Sequence, residues 1–203
     1  MIKHNKYIFL LFFLISGTSY KHDKKSYSKA IAITIAIQPF NDIPKSDINY
    51  VAENLKKMYS KVIIKDPIGF PKFTLNKFKT RYRADSLIKY LSNQTKDGYL
   101  TIGLTTKDIS TTKGDFPDWG IMGLGYCPGK SCIASSFRIK GKNKLEKLFK
   151  VSIHELGHTQ GLPHCPIKTC LMKDADGKDN LNEEKEFCPK CKNQLIKKGW
   201  VLK

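Results

Sequence analysis

The stretch HELGHTQGLPHCPIKTCLM, His154–Met172, holds three of the chain's five histidines and two of its six cysteines. On a helix, His154 and His158 lie one turn apart on the same face, so both imidazoles can bind one zinc ion. Gly161 permits a turn out of the helix, often at positive φ, that would present His164 as a third ligand. The spacing therefore predicts a three-histidine metal site at the end of a helix.

Such a site would have the composition of a catalytic zinc centre. Three imidazoles leave the fourth tetrahedral position open to water, whereas a structural zinc site is closed. Glu155, next to the first ligand, could take the proton of the zinc-bound water and deliver it to the leaving amine. The full pattern H-E-x-x-H-x-x-G-x-x-H is far more specific than H-E-x-x-H alone. It predicts a zinc metallopeptidase that hydrolyses peptide bonds.

Four cysteines form a second candidate metal site. Cys165 and Cys170 follow the third histidine, and FCPKC supplies Cys188 and Cys191 at the two-residue spacing of a zinc knuckle. Four thiolates would make a closed, structural zinc site, and it would stabilise a C-terminal segment that has little hydrophobic patterning of its own. We expect two zinc ions per chain. Disulfides between these cysteines remain the alternative for an exported protein.

The first residues have the pattern of an export signal. Lys3, His4 and Lys6 precede an apolar run, Ile8 to Gly17, and small residues follow it before Tyr20. The run is too short for a stable membrane anchor, and no cysteine follows it for lipid attachment. We therefore expect a signal peptide over residues 1–19 and export to the periplasm or the medium, with a buried N-terminal element as the alternative.

The upstream sequence predicts a layered α/β domain with a mostly parallel, mixed sheet. We expect strands in the following ranges: 30–40, 61–65, 98–109 and 132–139. We expect helices near 47–59, 81–92 and 143–160, the first capped by Asp47. Residues 110–130 change to Gly, Pro, Asp and Trp without a period, which favours a surface loop. After a linker at 20–29, the metalloprotease domain would cover 30–203, divided into 30–161 and a small, irregular 162–203.

The charge argues against nucleic acid as the partner. Lys+Arg number 36 against 18 Asp+Glu, yet arginine occurs only at positions 81, 83 and 138 and the lysines are spread along the chain. Nucleic-acid binders more often concentrate basic residues and use arginine forks. A solvated lysine-rich surface is the favoured interpretation, with a nucleic-acid-binding zinc module as an alternative. We expect a monomer that acts on a peptide or protein substrate.

The metal motif resembles the archaemetzincin family of zinc metalloproteases, whose signature is H-E-x-x-H-x-x-G-x-x-H-C-x4-C-x-M followed by C-x-x-C. Every position is matched within residues 154–191. The resemblance implies a metzincin-like fold, with Glu155 as general base and Met172 in the turn beneath the catalytic zinc. It implies aminopeptidase action on peptides as the usual proposal for the family. It also implies an edge strand that pairs with substrate, for which residues 132–139 are the candidate.

Two features lie outside that signature. The signal-like N-terminus is one, and it leaves the redox state of the cysteine site open. The other is the pair Cys127 and Cys132, which flanks a turn-prone Pro-Gly in CPGKSC. For this pair we favour a disulfide, with free thiols as the alternative. A zinc-stabilised binding protein without useful peptidase activity is the competing hypothesis for the whole chain.

Overall fold

A computed structural model describes residues 33–175 and 180–202 of the chain. The segments expected to be a signal peptide and a linker, 1–19 and 20–29, lie outside the described residues. Within the described ranges, the strands are β1 (Thr34–Pro39), β2 (Val62–Ile64), β3 (Tyr82–Arg83), β4 (Tyr99–Thr105), β5 (Ile109–Lys113), β6 (Phe116–Ile121), β7 (Gly123–Gly125) and β8 (Ser131–Ser135). The helices are α1 (Lys45–Met58), α2 (Ala84–Gln94), α3 (Lys144–Thr159) and α4 (Pro189–Ile196).

The central sheet has five strands in the order β2-β1-β4-β8-β7. The first four of these are parallel to one another, and β7 pairs antiparallel to β8 at one edge. Its inner strands are buried on both faces, because Ile35, Ile102 and Ile133 have no exposed surface. Such all-apolar strands are typical of a parallel sheet between two helical layers. The predicted α/β fold class is therefore confirmed.

Helices cover the two faces of this sheet. On one face, α1 and α3 pack side by side, and Leu55 and Leu148 belong to one core with the sheet residues. On the other face, α2 contributes Leu87 and Ile88 to a second cluster. Helix α1 begins at Lys45 after Pro44 rather than at a cap formed by Asp47. Asp47 instead lies in the first turn, where its negative charge interacts favourably with the positive end of the helix dipole.

The expectation of a loop over residues 110–130 is wrong. The segment contains β6 and β7 and most of β5, and β3, β5 and β6 form a separate three-stranded sheet. The chain's three arginines support this small sheet. Arg138 binds both carboxylate oxygens of Asp108 at 2.7 and 2.8 Å, and Arg81 also binds Asp108 at 2.8 Å. Arg83 donates to the carbonyl of Pro117 in β6.

Two further expectations need correction. Residues 132–139 do not form the expected edge strand, because β8 lies inside the sheet between β4 and β7. The edge strand beside α3 is β7, whose short Gly-Leu-Gly sequence carries no recognisable strand pattern. The expected helix at 81–92 starts at Ala84, because the two residues before it pair with β5 as β3.

The C-terminal segment is mostly turns around one short helix. Trp200 packs edge-on against Tyr59 of the main domain, with ring centroids 5.3 Å apart. The backbone N–H of Val201 donates to the carbonyl of Met58. The segment is therefore docked on the end of α1, and it returns the chain to the α1–α3 face. Among the described residues, no helix has the length and apolar character needed to cross a membrane.

Candidate metal centres

Helix α3 presents the first two candidate ligands. His154 and His158 are four residues apart on the helix, and their ring centroids lie 4.7 Å from each other. The helix ends in two backbone bonds: Leu162 N–H donates to the Gly157 carbonyl, and Gly161 N–H donates to the His158 carbonyl. Gly161 has φ of 85°, which glycine adopts without steric cost. The turn expected at this glycine is thus present.

This turn brings His164 back to the helix. The Nε2 atoms of His158 and His164 are 3.2 Å apart, and one donor nitrogen from each of the three histidines lies within 4.8 Å of the others. Two nitrogens bound at about 2.0–2.1 Å to one tetrahedral zinc would be separated by roughly 3.3 Å. The three predicted ligands converge with a spacing that fits this metal.

Each of the three imidazoles has a partner at its other nitrogen. Nδ1 of His154 lies 2.7 Å from the Leu171 carbonyl, and Nδ1 of His158 lies 2.8 Å from the Leu162 carbonyl. Nδ1 of His164 lies 3.2 Å from the carboxylate of Asp174. A hydrogen bond from Nδ1–H fixes the tautomer that leaves Nε2 available to a metal.

The electrostatics of the two helical histidines also suit ligation. Burial, followed by the nearby His158, lowers the pKa of His154 to about 3. Burial likewise lowers the pKa of His158. Both shifts favour the neutral imidazole, which is the form that binds a metal.

Glu155 projects from α3 toward the edge strand β7. The side chain is buried, and burial raises the pKa of Glu155 to about 8. A divalent cation at the neighbouring histidines would lower this pKa, because an opposite charge favours the carboxylate. Strand β7 approaches closely because of its glycines: a Cβ on Gly123 would lie 2.6 Å from Oε1 of Glu155, and one on Gly125 would lie 2.6 Å from the Glu155 carbonyl oxygen.

The four C-terminal cysteines form a second, buried cluster. One sulfur from each of Cys165, Cys170, Cys188 and Cys191 lies within 4.8 Å of the others, and the sulfurs of Cys165 and Cys188 are 3.7 Å apart. Thiolates at about 2.3 Å from one tetrahedral zinc would stand roughly 3.8 Å apart, whereas a disulfide needs about 2.05 Å. The structure thus assembles all four predicted thiols in one place.

The ionisation of this cluster is uneven. Burial opposes ionisation of Cys188, but hydrogen bonds from Cys191 and from the other two thiols lower the pKa of Cys188 to about 7. Burial and the neighbouring Cys188 raise the pKa of Cys191. Cys188 therefore ionises more readily than Cys191, and a divalent cation bound among the sulfurs would favour the thiolate form of both.

The cysteine cluster and the histidine centre share one loop. Backbone N–H groups of Met172 and Cys188 point at the sulfur of Cys170, at 3.5 and 3.3 Å. The next residue after Cys170 is Leu171, whose carbonyl accepts the bond from His154. Met172 is fully buried, and its sulfur lies so close to Gly157 that a Cβ there would be 2.4 Å away. Met172 therefore packs directly against α3 at Gly157, the residue before His158.

Cys127 and Cys132 are not joined in the structure. Both are free thiols: Cys132 is buried in β8, and the thiol of Cys127 is directed at the Leu162 carbonyl at 3.4 Å. The structure therefore has the alternative, two free thiols, and not the disulfide that was favoured for this pair. The reason is the path of the chain, since Cys127 follows β7 toward the end of α3 while Cys132 faces the core beside Glu155.

The sequence offers four acidic residues in loops, Asp115, Asp118, Asp174 and Asp176, with no feature that ranks them as site residues. The structure separates them: Asp118 accepts bonds from Asn76, Arg81 and Ser110, and Asp115 lies at the exposed turn between β5 and β6. Asp174 lies at the metal centre beside His164. Asp176 lies outside the described residues. Only the folding of the loop after Met172 distinguishes Asp174, and no sequence signal marks it.

The sequence is similar to a known protein family and to several of its members. The family described as "Peptidase family M54" matches residues 29–198. The archaemetzincin of Nanoarchaeum equitans is 29% identical over 155 residues, covering 76% of this chain and 85% of that protein. The archaemetzincin of Methanopyrus kandleri is 29% identical over 136 residues, covering 64% of this chain and 75% of that protein.

Solved structures show the same fold. The archaemetzincin of Archaeoglobus fulgidus, complexed with malonate, superposes with a TM-score of 0.69 at 24% identity, covering 80% of this chain and 99% of that one. The Methanopyrus kandleri structure gives a TM-score of 0.69 at 24% identity, with 85% and 98% covered.

Proposed function

Because the chain belongs to peptidase family M54, the archaemetzincin family of zinc metallopeptidases, we propose that it hydrolyses peptide bonds at the three-histidine centre, with Glu155 as the general base. The observation that carries the proposal is the convergence of the His154, His158 and His164 nitrogens beside a buried carboxylate. Three imidazole ligands that leave a fourth position open, beside a carboxylate that can take a proton, are the components of a hydrolytic zinc site.

The donor set fits zinc by spacing and by ionisation. The nitrogens of His158 and His164 are separated by 3.2 Å, and the lowered pKa values of the helical histidines favour the neutral form. A zinc ion held there supplies a Lewis acid that polarises the scissile carbonyl and acidifies a water. The protein's own part is to hold three nitrogens in fixed positions, through the Leu171 and Leu162 carbonyls and the Asp174 carboxylate.

Glu155 would move the proton. Glu155 directly follows the first ligand in the chain, and its carboxylate contacts Gly123 of the edge strand β7. We propose that it accepts a proton from the attacking water and returns it to the leaving amine. Strand β7 would exclude bulk water from Glu155, and its unpaired outer edge could bond an extended peptide.

We further propose that Cys165, Cys170, Cys188 and Cys191 hold a second, structural zinc. The four buried sulfurs and the 3.7 Å separation of two of them support a closed tetrahedral site. This zinc would brace the loop that carries Leu171 and Met172, and through them the first centre. The mature protein would then contain two zinc ions per chain.

Export and substrate choice are extensions of the proposal. The apolar N-terminal run supports removal of a signal peptide and action outside the cytoplasm. We propose that the enzyme acts there on peptides or proteins as a monomer. Aminopeptidase action, the usual proposal for archaemetzincins, is the form of the activity to test first. Paired substrates with free and acetylated N-termini would distinguish trimming from internal cleavage.

The test is hydrolysis of a peptide library by the zinc-loaded protein and by Glu155→Gln. Glutamine has nearly the shape of glutamate but cannot accept the proton, so zinc content should stay the same and turnover should be lost. Hydrolysis by the variant at the wild-type rate would remove Glu155 from its role. No cleavage by the zinc-loaded wild type would favour the competing hypothesis of a zinc-stabilised binding protein.

A further inference from the structure

The third histidine of the metal centre is held differently from the other two. His154 and His158 belong to α3, and their Nδ1 atoms face backbone carbonyls of Leu171 and Leu162. His164 lies on the loop after the helix, and its side chain is 47% exposed. Its backbone is anchored, because the N–H of the next residue, Cys165, donates to the Met172 carbonyl and Cys165 belongs to the cysteine cluster. An anchored backbone does not by itself fix the rotation of the imidazole about its side-chain torsions.

We propose that Asp174 is a positioning residue for His164, an inference that rests on the proposed three-histidine zinc centre. Its carboxylate lies 3.2 Å from Nδ1 of His164 while Nε2 of the same ring points at His158. Accepting the Nδ1–H bond selects one tautomer and one ring orientation, so that the Nε2 lone pair is directed at the metal. The negative charge also makes the imidazole a stronger donor.

A competing role for the same carboxylate is recognition of a substrate's free amino group, since its side chain is 50% exposed beside the centre. The two roles differ in what they do without substrate. Positioning changes zinc affinity in the resting protein. Amine recognition leaves zinc affinity unchanged and affects only peptides with a free N-terminus.

The experiment measures zinc affinity by chelator competition on the full chain carrying Asp174→Ala, Asp174→Asn or Asp115→Ala. We expect Asp174→Ala to weaken zinc binding at the three histidines about tenfold or more, within the range of roughly 10–100-fold for such outer partners. Asp174→Asn, whose amide oxygen still accepts a bond, should lose less. Asp115→Ala removes the same charge from a distant, exposed turn and should have no effect.

The zinc of the cysteine site is the internal reference, because general destabilisation would weaken both sites. A second readout is the absorption spectrum of the protein with Co²⁺ in the histidine site, which should change in Asp174→Ala and not in Asp115→Ala. Unchanged affinity and spectrum in Asp174→Ala would overturn the proposal, and selective loss of activity on free-amine peptides with unchanged affinity would also overturn it. These readouts need no substrate, so a protein that binds zinc but cleaves nothing would defeat the proposed function alone.

Discussion

Gly123 of the edge strand lies against the side chain of Glu155, so closely that a Cβ at Gly123 would be 2.6 Å from Oε1. This contact places the edge strand β7 directly against the proposed general base. It also explains why β7 has glycine at alternate positions, since Gly123 and Gly125 both face α3 while Leu124 faces the other core. A side chain at Gly123 would displace the Glu155 carboxylate, and one at Gly125 would clash with the backbone of α3.

Gly123→Ala should therefore lower the rate of hydrolysis without changing zinc content. Overpacking of this kind costs about 1–3 kcal/mol, and a displaced Glu155 would turn that cost into a loss of roughly ten- to a hundredfold in kcat. Peptide hydrolysis and zinc analysis on the same sample check this. Gly69→Ala is the matched control, because a Cβ there meets its nearest atom at an ordinary 3.8 Å. Equal kcat in both variants would contradict the assigned contact.

The burial of Glu155 predicts a pH-dependent stability of the metal-free protein. Folding raises the pKa of this carboxyl to about 8, from an ordinary value of 4.5. The folded protein thus favours the protonated acid, so stability should fall as pH rises from about 4.5 to 8, by an upper limit of about 3 kcal/mol at pH 7. Glu155→Gln should be more stable than wild type at pH 8 and similar to it at pH 4. Urea unfolding of the zinc-free proteins at several pH values measures the difference, and a gap that did not grow with pH would contradict it.

The shared loop predicts that the cysteine site supports the histidine site. Cys188→Ser should lose the second zinc and loosen the loop that carries Leu171 and Met172, so zinc at the histidines should also bind more weakly. Native mass spectrometry with graded chelator would show the two losses. Lys190→Ala is the control, because Lys190 is exposed on the same helix as Cys191 and carries no thiol. If Cys188→Ser lost the second zinc without weakening zinc binding at the histidines, the prediction that one site supports the other would be contradicted.

The arginine network predicts a difference between two ion pairs. Arg138→Lys should destabilise the fold by roughly 1–3 kcal/mol, because lysine cannot bind both oxygens of the largely buried Asp108. Lys130→Gln breaks a pair with the exposed Asp97 and should change stability by less than about 0.5 kcal/mol. Urea unfolding compares them, and equal losses would mean that the fork at Asp108 is not stabilising.

The metal-site residues could be predicted from sequence because their spacing is local. A four-residue interval on one helix sets His154 against His158, and a glycine turn fixes the return of His164. The inner strands could also be predicted, since burial on both faces requires continuous apolar residues. The first residue of α2 could not, because the residues before it form β3 only by pairing with β5.

The edge strand β7 could not be predicted from the sequence, because the glycines that let it approach α3 also remove the strand pattern. Strand β7 needs glycines to approach α3, and Gly120 in β6 lies under the guanidinium of Arg138. Glycine lowers the strand signal, so the sequence predicts a loop for this segment. Asp174 and the free thiols of Cys127 and Cys132 depend on how loops fold back on the core, which no local pattern encodes.

Zinc content per chain, measured together with peptide hydrolysis in wild type and in His158→Ala, decides whether the three histidines form a catalytic centre. We expect two zinc ions and peptide cleavage for wild type. For the variant we expect one zinc, held by four cysteines that are released as thiols on chelation and unfolding, and no cleavage. Cleavage by His158→Ala at the wild-type rate, or a wild type without zinc at the histidines, would contradict the assignment of a catalytic zinc centre.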